Sequence, residues 1–130
     1  MHSKTMLQPG RLVPHFTIAA MDGATVAYSD IWQRKNLLLV LLPEDQASED
    51  YAGQLRARMP DLTAYDTACV ISREDVAGAP RPGAVIADKW GEVHFVAGHE
   101  TPAKLPTPDE LIEWLRYVQM QCPECQGEAK

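Results

Sequence analysis

The sequence predicts an α/β fold in which one mixed β-sheet is flanked by helices on both faces. Apolar segments of strand length alternate with two segments of helical periodicity, in the order β-β-β-α-β-β-β-α. The central β-α-β part should form a right-handed parallel crossover, and the closing pair of strands should add an antiparallel edge. With 130 residues, 45% of them hydrophobic, we expect one domain over 1–130, in which 122–130 form a C-terminal tail.

The first half of the chain supplies three strands and the first helix. Alternating apolar residues indicate the first two strands, and a continuous apolar run indicates a third that is covered on both faces. Apolar residues at helical spacing then predict a helix over Ala47–Met59, which Pro60 should end. The three strands are placed at His15–Ala20, Thr25–Tyr28 and Asn36–Leu42.

The second half supplies three more strands and the last helix. Apolar runs bounded by turn residues predict strands at Thr67–Ser72, Ala84–Ala87 and Glu92–Val96, and the last two should form a hairpin. A capping box, Thr107 with Glu110, marks the start of the last helix, and a stripe of apolar residues follows it. This helix should therefore pack one face against the sheet.

Composition excludes several classes of partner. The chain has 12 basic and 18 acidic residues, a formal net charge of −6, and no basic patch interleaved with aromatics, which argues against nucleic acid. The longest apolar run, Leu37–Leu42, is too short to span a bilayer, so we expect no membrane segment. The N-terminus lacks a secretory signal, and three cysteines are too few for a disulfide framework, so we expect a cytoplasmic location.

Four sequence motifs, in order, carry a resemblance to a known family. Gly10–Ile18 is similar to the pattern G-x-x-A-P-D-F-x-L, and Asp22–Ile31 to D-G-x-x-V-x-L-S-D. Asn36–Leu42 matches the strand that leads to an active site, and Pro82–Val93 is similar to P-T-T-F-L-I-D-x-x-G-x-I. Over residues 8–120 the chain thus resembles redoxins, the peroxiredoxin (AhpC/TSA-type) and TlpA-like proteins. The resemblance implies a thioredoxin-like fold and an antioxidant or thiol–disulfide oxidoreductase activity.

The resemblance also implies where a catalytic cysteine would stand, and this chain has none there. In the family the cysteine follows the central strand, on the first turn of the next helix, where the helix dipole lowers its pKa. Aligned on C-x-x-C, the two positions are Gln46 and Glu49; aligned on the peroxiredoxin pattern, the position falls near Asp50. Ser48 is the only hydroxyl in the stretch, and we interpret it as a helix cap rather than a nucleophile.

Arg81 and Pro82 complete the expected site. Pro82 matches the cis-proline that faces the active site in this family, and Arg81 would then lie beside the vacated cysteine position. Arg81 is expected either to pair with Glu49 or Asp50 or to remain solvated. Only about ten residues separate Ser72 from the next strand, where the family usually has a full helix, so the face around the site should be barer.

The remaining cysteines leave three interpretations open. Cys69 lies in an apolar strand and is expected to be a small buried hydrophobe. Cys122 and Cys125 form a C-x-x-C after the last helix, which could be a redox dithiol, half of a metal site shared between two chains, or an incidental pair. The helix C-terminus should raise the thiol pKa of Cys122, which weakens the redox interpretation. His94 is interpreted as a surface strand residue rather than a ligand.

Two functional hypotheses follow. The first is a redoxin with a degenerate site, in which any residual redox chemistry must use Cys122 and Cys125 as catalytic residues and a redox partner protein or peptide as substrate. The second is a non-enzymatic adaptor that keeps the groove beside Pro82 as a peptide-docking surface. No cofactor and no resident metal are expected, and a homodimer is compatible with either hypothesis. Peroxide reduction is not expected, because no thiolate is available to attack the O–O bond.

Overall fold

A computed structural model describes residues 6–121 of the chain. Six strands follow one another in the predicted order, with three α-helices where two were expected and two short 3-10 turns at Tyr28–Asp30 and Pro102–Lys104. The strands are β1 (Thr17–Ala19), β2 (Thr25–Ala27), β3 (Asn36–Leu41), β4 (Thr67–Ser72), β5 (Gly83–Ala87) and β6 (Val93–Gly98). The helices are α1 (Gln46–Arg56), α2 (Met59–Ala64) and α3 (Pro108–Gln121).

The main sheet has the strand order β4-β3-β5-β6 and is mixed. β3 pairs with β4 in parallel, with Asn36 opposite Thr67, and it pairs with β5 in antiparallel fashion. β6 pairs antiparallel with β5 at the edge, whereas β1 and β2 form a separate hairpin. The predicted α/β fold with a mixed sheet flanked by helices is therefore confirmed.

β3 is the centre of the molecule because both of its faces are covered. Its residues and Leu42 are at most 1% exposed, in agreement with the continuous apolar run. Leu38 and Val40 face a core built with α1, α2 and α3. Leu37 and Leu39 face a second core, built with the N-terminal segment. The three described α-helices thus share one core, and the helix expected on the other face is replaced by the N-terminal segment.

The first helical region differs from its prediction. A single helix was expected over Ala47–Met59, but α1 ends at Arg56 and a second helix begins at Met59. Pro60 therefore lies in the first turn of α2 instead of ending a helix. The first turn of a helix suits proline, because the backbone N–H groups there have no partner within the helix.

The last helix begins as predicted. The backbone N–H of Glu110 donates to the Thr107 hydroxyl at 3.2 Å, and the Thr107 N–H donates to the Glu110 carboxylate at 2.8 Å. These two bonds form the predicted capping box. None of the helices in the described part of the chain is long and apolar enough to cross a membrane.

Candidate functional site

The candidate site lies where β3 ends and α1 begins. Leu41, the last residue of β3, is paired with Gly83 at the start of β5, and the N–H of Leu42 donates to the carbonyl of Ser72 at the end of β4. One end of the sheet therefore brings together the N-terminus of α1, the last residue of β4 and Pro82. The Arg81–Pro82 peptide bond is cis, as predicted.

Asp45 is the N-cap of α1, so Gln46 is its first residue. The Asp45 carboxylate accepts the backbone N–H of Ser48 at 2.8 Å. Contacts with Ser48, its side chain first and its backbone N–H second, hold the pKa of the Asp45 carboxyl below its ordinary value. The interpretation of Ser48 as the cap is therefore wrong, because Asp45, three positions earlier, already fills that role. An Asp directly before the periodic segment was the sequence signal for it.

Ser48 instead lies in the first turn of α1 with its side chain fully buried. Its hydroxyl is close enough to Asp45 to lower the pKa of that carboxyl. It forms no hydrogen bond of acceptable geometry with any of the described residues. Within residues 6–121 no histidine forms a hydrogen bond with Ser48, so this part of the chain supplies no adjacent base of the kind that an activated serine nucleophile requires.

Glu49 and Asp50 each have a partner other than Arg81. The Glu49 carboxylate forms an ion pair with Arg73, the first residue after β4. The Asp50 carboxylate accepts a hydrogen bond from the Gln46 side-chain amide at 3.0 Å, one helical turn away. Both C-x-x-C positions, Gln46 and Glu49, are thus occupied by polar side chains with internal partners.

Arg81 does not pair with Glu49 or Asp50, the first of its two expected alternatives, and its side chain is exposed. Its guanidinium Nε donates to the Asp75 carboxylate at 2.8 Å, within the connection between β4 and β5. The short connection accounts for the difference, because it places Asp75 only six residues before Arg81. Arg73 takes the expected place instead, and sequence reasoning missed it because nothing local marks an arginine after a strand as the partner of a distant helix.

An open cleft of about 630 Å³ adjoins the cis-proline. The bend between Pro80 and Pro82 packs directly against Gly83 and Gly98, where there is no room for a side chain. A Cβ on Gly83 would lie 2.4 Å from the Pro80 carbonyl oxygen, and one on Gly98 would lie 2.7 Å from the Pro80 Cβ. The His99 N–H donates to the Pro82 carbonyl at 3.3 Å, which ties the end of β6 to this bend. The cleft is lined by Pro80, Arg81, Pro82, Gly98, His99, Glu100 and Lys104.

Cys69, in β4, is the one cysteine among residues 6–121. Burial raises the pKa of this thiol to about 12, so it is protonated near neutral pH. Cys69 is partly buried and packs against the core shared with the helices, so the expectation of a buried hydrophobe is met in part. Cys122 and Cys125 lie outside the described residues. Within residues 6–121 no cysteine stands at the N-terminus of α1, where a thiolate would attack a substrate.

Comparison with solved structures shows the fold. A reduced 2-Cys peroxiredoxin from Plasmodium vivax has a TM-score of 0.69 at 13% identity, covering 92% of this chain and 84% of that one. A yeast mitochondrial 1-Cys peroxiredoxin has a TM-score of 0.71 at 10% identity, covering 94% and 80%. A candidate disulfide isomerase from Bacteroides thetaiotaomicron has a TM-score of 0.62 at 13% identity, covering 99% and 100%.

These neighbours have a thioredoxin-like fold of the kind found in peroxiredoxins, and this chain shares it. No protein-family profile matches the sequence, and no curated protein matches it. The fold is thus the part of the resemblance that the comparisons bear out.

Proposed function

We propose that this chain is a degenerate redoxin that binds a peptide or protein segment in the cleft beside Pro82 and does not reduce peroxides. The observation that carries the proposal is the N-terminus of α1. There, Gln46 bonds to Asp50 and Glu49 pairs with Arg73, so the positions of a reactive thiol hold side chains with internal partners. The fold is retained while the nucleophile is replaced.

The chemistry of peroxide reduction supports the negative half of the proposal. A thiolate must attack one peroxide oxygen and release the other as hydroxide or alkoxide. Ser48 has no base as a hydrogen-bond partner among residues 6–121, and the Cys69 thiol, which packs against the core, is held protonated near neutral pH. Neither side chain can therefore take the place of the missing cysteine.

The cleft supports the binding half. It is open to solvent beside the bend at Pro80–Pro82, and its wall carries Arg81 and Lys104 against one acid, Glu100. The Arg81 charge is partly engaged by Asp75, while Lys104 has no ion-pair partner among residues 6–121. With Arg81 engaged by Asp75 and Glu100 beside it, the wall has no net positive charge, and Lys104 is the cation in it that can pair with a carboxylate, so the wall favours an acidic segment at this one point.

A second candidate function is thiol–disulfide exchange through Cys122 and Cys125 with a redox partner protein. Two observations favour it: the C-x-x-C spacing, and the likeness of the fold to a candidate disulfide isomerase. In that case the tail dithiol would be oxidised to a disulfide as the partner's disulfide is reduced. A cytoplasmic location and a homodimer are compatible with both candidates and belong to the proposal.

Catalytic assays separate the candidates. We expect no consumption of hydrogen peroxide above the buffer rate with dithiothreitol as reductant. Reduction of a model disulfide that is lost in both Cys122→Ser and Cys125→Ser would establish the second candidate. Thiol-dependent peroxide consumption that persists in the double serine variant would contradict the proposed function.

Binding at the cleft is tested with short fluorescent peptides. A peptide rich in aspartate and glutamate should bind more tightly than its lysine-rich counterpart, and Lys104→Glu should weaken that binding. The matched control is Lys35→Glu, because Lys35 is also exposed but precedes β3 at the other end of the sheet. Equal loss of binding in both variants would indicate a general charge effect and not a site in the cleft.

A further inference from the structure

A second cluster of polar side chains lies at the turn between β5 and β6, away from the candidate site. Ala87 at the end of β5 pairs with Leu37, whereas Gly83 pairs with Leu41 at the other end of β3. Four residues of strand separate the two ends by about 13 Å. One ligand atom from each of Asp88, Glu92 and His94 lies within 4.8 Å of the others.

The two oxygens of Asp88 have different roles. Oδ1 accepts the backbone N–H groups of Trp90 at 2.9 Å and Glu92 at 3.0 Å, which fixes the carboxylate on the turn. Oδ2 is left facing the His94 imidazole, 3.0 Å from Nε2. The turn therefore holds the side chain in place, and its second oxygen contacts only the His94 imidazole among the described residues.

A β-bulge directs His94 to this cluster. Ile86 is paired with Phe95, but Ala87 is paired with Val93, so His94 is the extra residue in β6. Bulges of this kind re-aim a side chain away from the regular alternation of the strand. His94 consequently meets Asp88 and is only partly exposed, in contrast to the surface strand residue that the alternation predicted.

The two carboxylates of the cluster have no compensating cation among the described residues. Lys89, the nearest lysine in sequence, forms an ion pair with Asp66 at 3.3 Å instead. The Asp88 side chain is only 9% exposed. A buried carboxylate is costly unless hydrogen-bond donors or a positive group accompany it, and a bound cation would supply that charge.

A buried hydroxyl beside the turn is also without a partner. Tyr28 is fully buried, and its hydroxyl makes no hydrogen bond within residues 6–121. It points to the turn, because a Cβ on Gly91 would lie 3.3 Å from it. Burial, and secondly the charge of Asp88, raise the pKa of this phenol to about 12, so it remains a donor. A water bound at the cluster would give the hydroxyl an acceptor.

We propose that Asp88 Oδ2, the Glu92 carboxylate and His94 Nε2 bind a divalent transition-metal ion such as Zn²⁺ or Mn²⁺. Two carboxylates and one neutral imidazole carry the charge that a divalent ion neutralises, and this donor set suits those metals. This site is separate from the proposed function and uses none of the tail cysteines.

The distances agree with such a site. Metal bonds to imidazole nitrogen and carboxylate oxygen are about 2.0–2.2 Å, so two ligand atoms lie about 3.0 Å apart at the right angle of an octahedral ion and about 3.4 Å apart at the tetrahedral angle of Zn²⁺. Asp88 Oδ2 and His94 Nε2 are already at 3.0 Å. On binding, the metal displaces the proton that they share, and the exposed Glu92 side chain closes onto the ion as third ligand. Water would complete the coordination.

The test uses the full chain carrying Cys122→Ser and Cys125→Ser, so that tail thiols cannot bind the metal. Titration with Zn²⁺ by calorimetry should give one ion per chain. Titration with Co²⁺ should give weak visible bands without the thiolate charge-transfer band. His94→Gln should abolish saturable binding, and Glu92→Gln should weaken it by about tenfold or more. The matched controls His99→Gln and Glu113→Gln should bind as tightly as the parent.

A measurement on the parent keeps the proposal testable if His94→Gln fails to fold. Substoichiometric Mn²⁺ should broaden the amide resonances of Trp90, Gly91 and Glu92 well before those of Gly98 and His99. Absence of saturable binding in the parent, unchanged affinity in a folded His94→Gln, or uniform broadening would each overturn the proposal.

Discussion

Glu49 and Arg73 form an ion pair that joins the first turn of α1 to the end of β4. In the C-x-x-C alignment, Glu49 stands at the second thiol position of the redoxins that this chain resembles. The pair is partly exposed, and it replaces a reactive position by an internal contact between two elements. Under the proposed function, paired polar side chains occupy the positions of the two thiols, and a cysteine introduced there tests whether the first turn of α1 can activate a thiol.

Gln46→Cys should produce a thiol whose pKa is lowered by about half a unit to one unit from the value of about 8.5 for free cysteine. Residue 46 begins α1, where the helix dipole favours the thiolate, but Asp45, Glu49 and Asp50 oppose it. Thiolate absorbance against pH in the Cys122→Ser, Cys125→Ser background measures it. Gln54→Cys, exposed near the other end of α1, is the matched control and should show no such decrease. A pKa at residue 46 above that of free cysteine would contradict the prediction.

Disrupting the ion pair itself should have a small effect on stability. Glu49 and Arg73 are both more than a third exposed, so solvent screens their attraction. A double-mutant cycle with Glu49→Gln and Arg73→Gln should give a coupling free energy of about 0.5 kcal/mol in chemical denaturation. High salt should reduce this coupling, and a coupling that persists undiminished would show that the pair is effectively desolvated.

The N-cap of α1 gives a pH-dependent prediction. The pKa of the Asp45 carboxyl is lower in the folded chain than its ordinary value, so ionised Asp45 favours the folded state. That contribution is present above the unfolded pKa of about 3.9 and is lost as the pH falls through the folded value. Asp45→Asn keeps a capping side chain but cannot ionise. Its thermal midpoint should fall below that of the parent at pH 7 and converge with it as the pH drops below about 4.

The elements that the sequence predicted well are those fixed by local pattern. The apolar run of β3 and the capping box at Thr107 depend on neighbouring residues alone, and both are confirmed. The partner of Arg81 depends instead on the path of a connection, and the orientation of His94 depends on a bulge that shifts the register of β6 by one residue. Neither a long-range ion pair nor a bulge leaves a periodic signal in the sequence.

The capping box of α3 can be tested by one substitution and a matched control. Thr107→Ala removes the hydroxyl that accepts the Glu110 N–H, and it should lower the free energy of unfolding by about 1 kcal/mol. Thr101→Ala is the control, because Thr101 precedes the turn Pro102–Lys104 without a side-chain capping bond. Urea denaturation of both variants measures the difference. Equal destabilisation would mean that the loss reflects the general removal of a threonine and not the cap.

Alkylation of the three cysteines tests the thiol assignment on which the proposed function depends. Burial raises the pKa of Cys69 to about 12, so little of it is thiolate near neutral pH. Cys69 also packs against the core shared with the helices, which limits access of the reagent to the sulfur. Under native conditions near neutral pH, iodoacetamide should therefore modify Cys122 and Cys125 well before Cys69, as read by mass spectrometry of digested peptides. Denaturant should equalise the three rates. Native modification of Cys69 as fast as Cys125 would contradict the packing of β4.

The same experiment tests the tail for a metal ion. If Cys122 and Cys125 react only after a chelator is added, the tail holds a metal ion, and a metal site shared between two chains replaces the dithiol candidate.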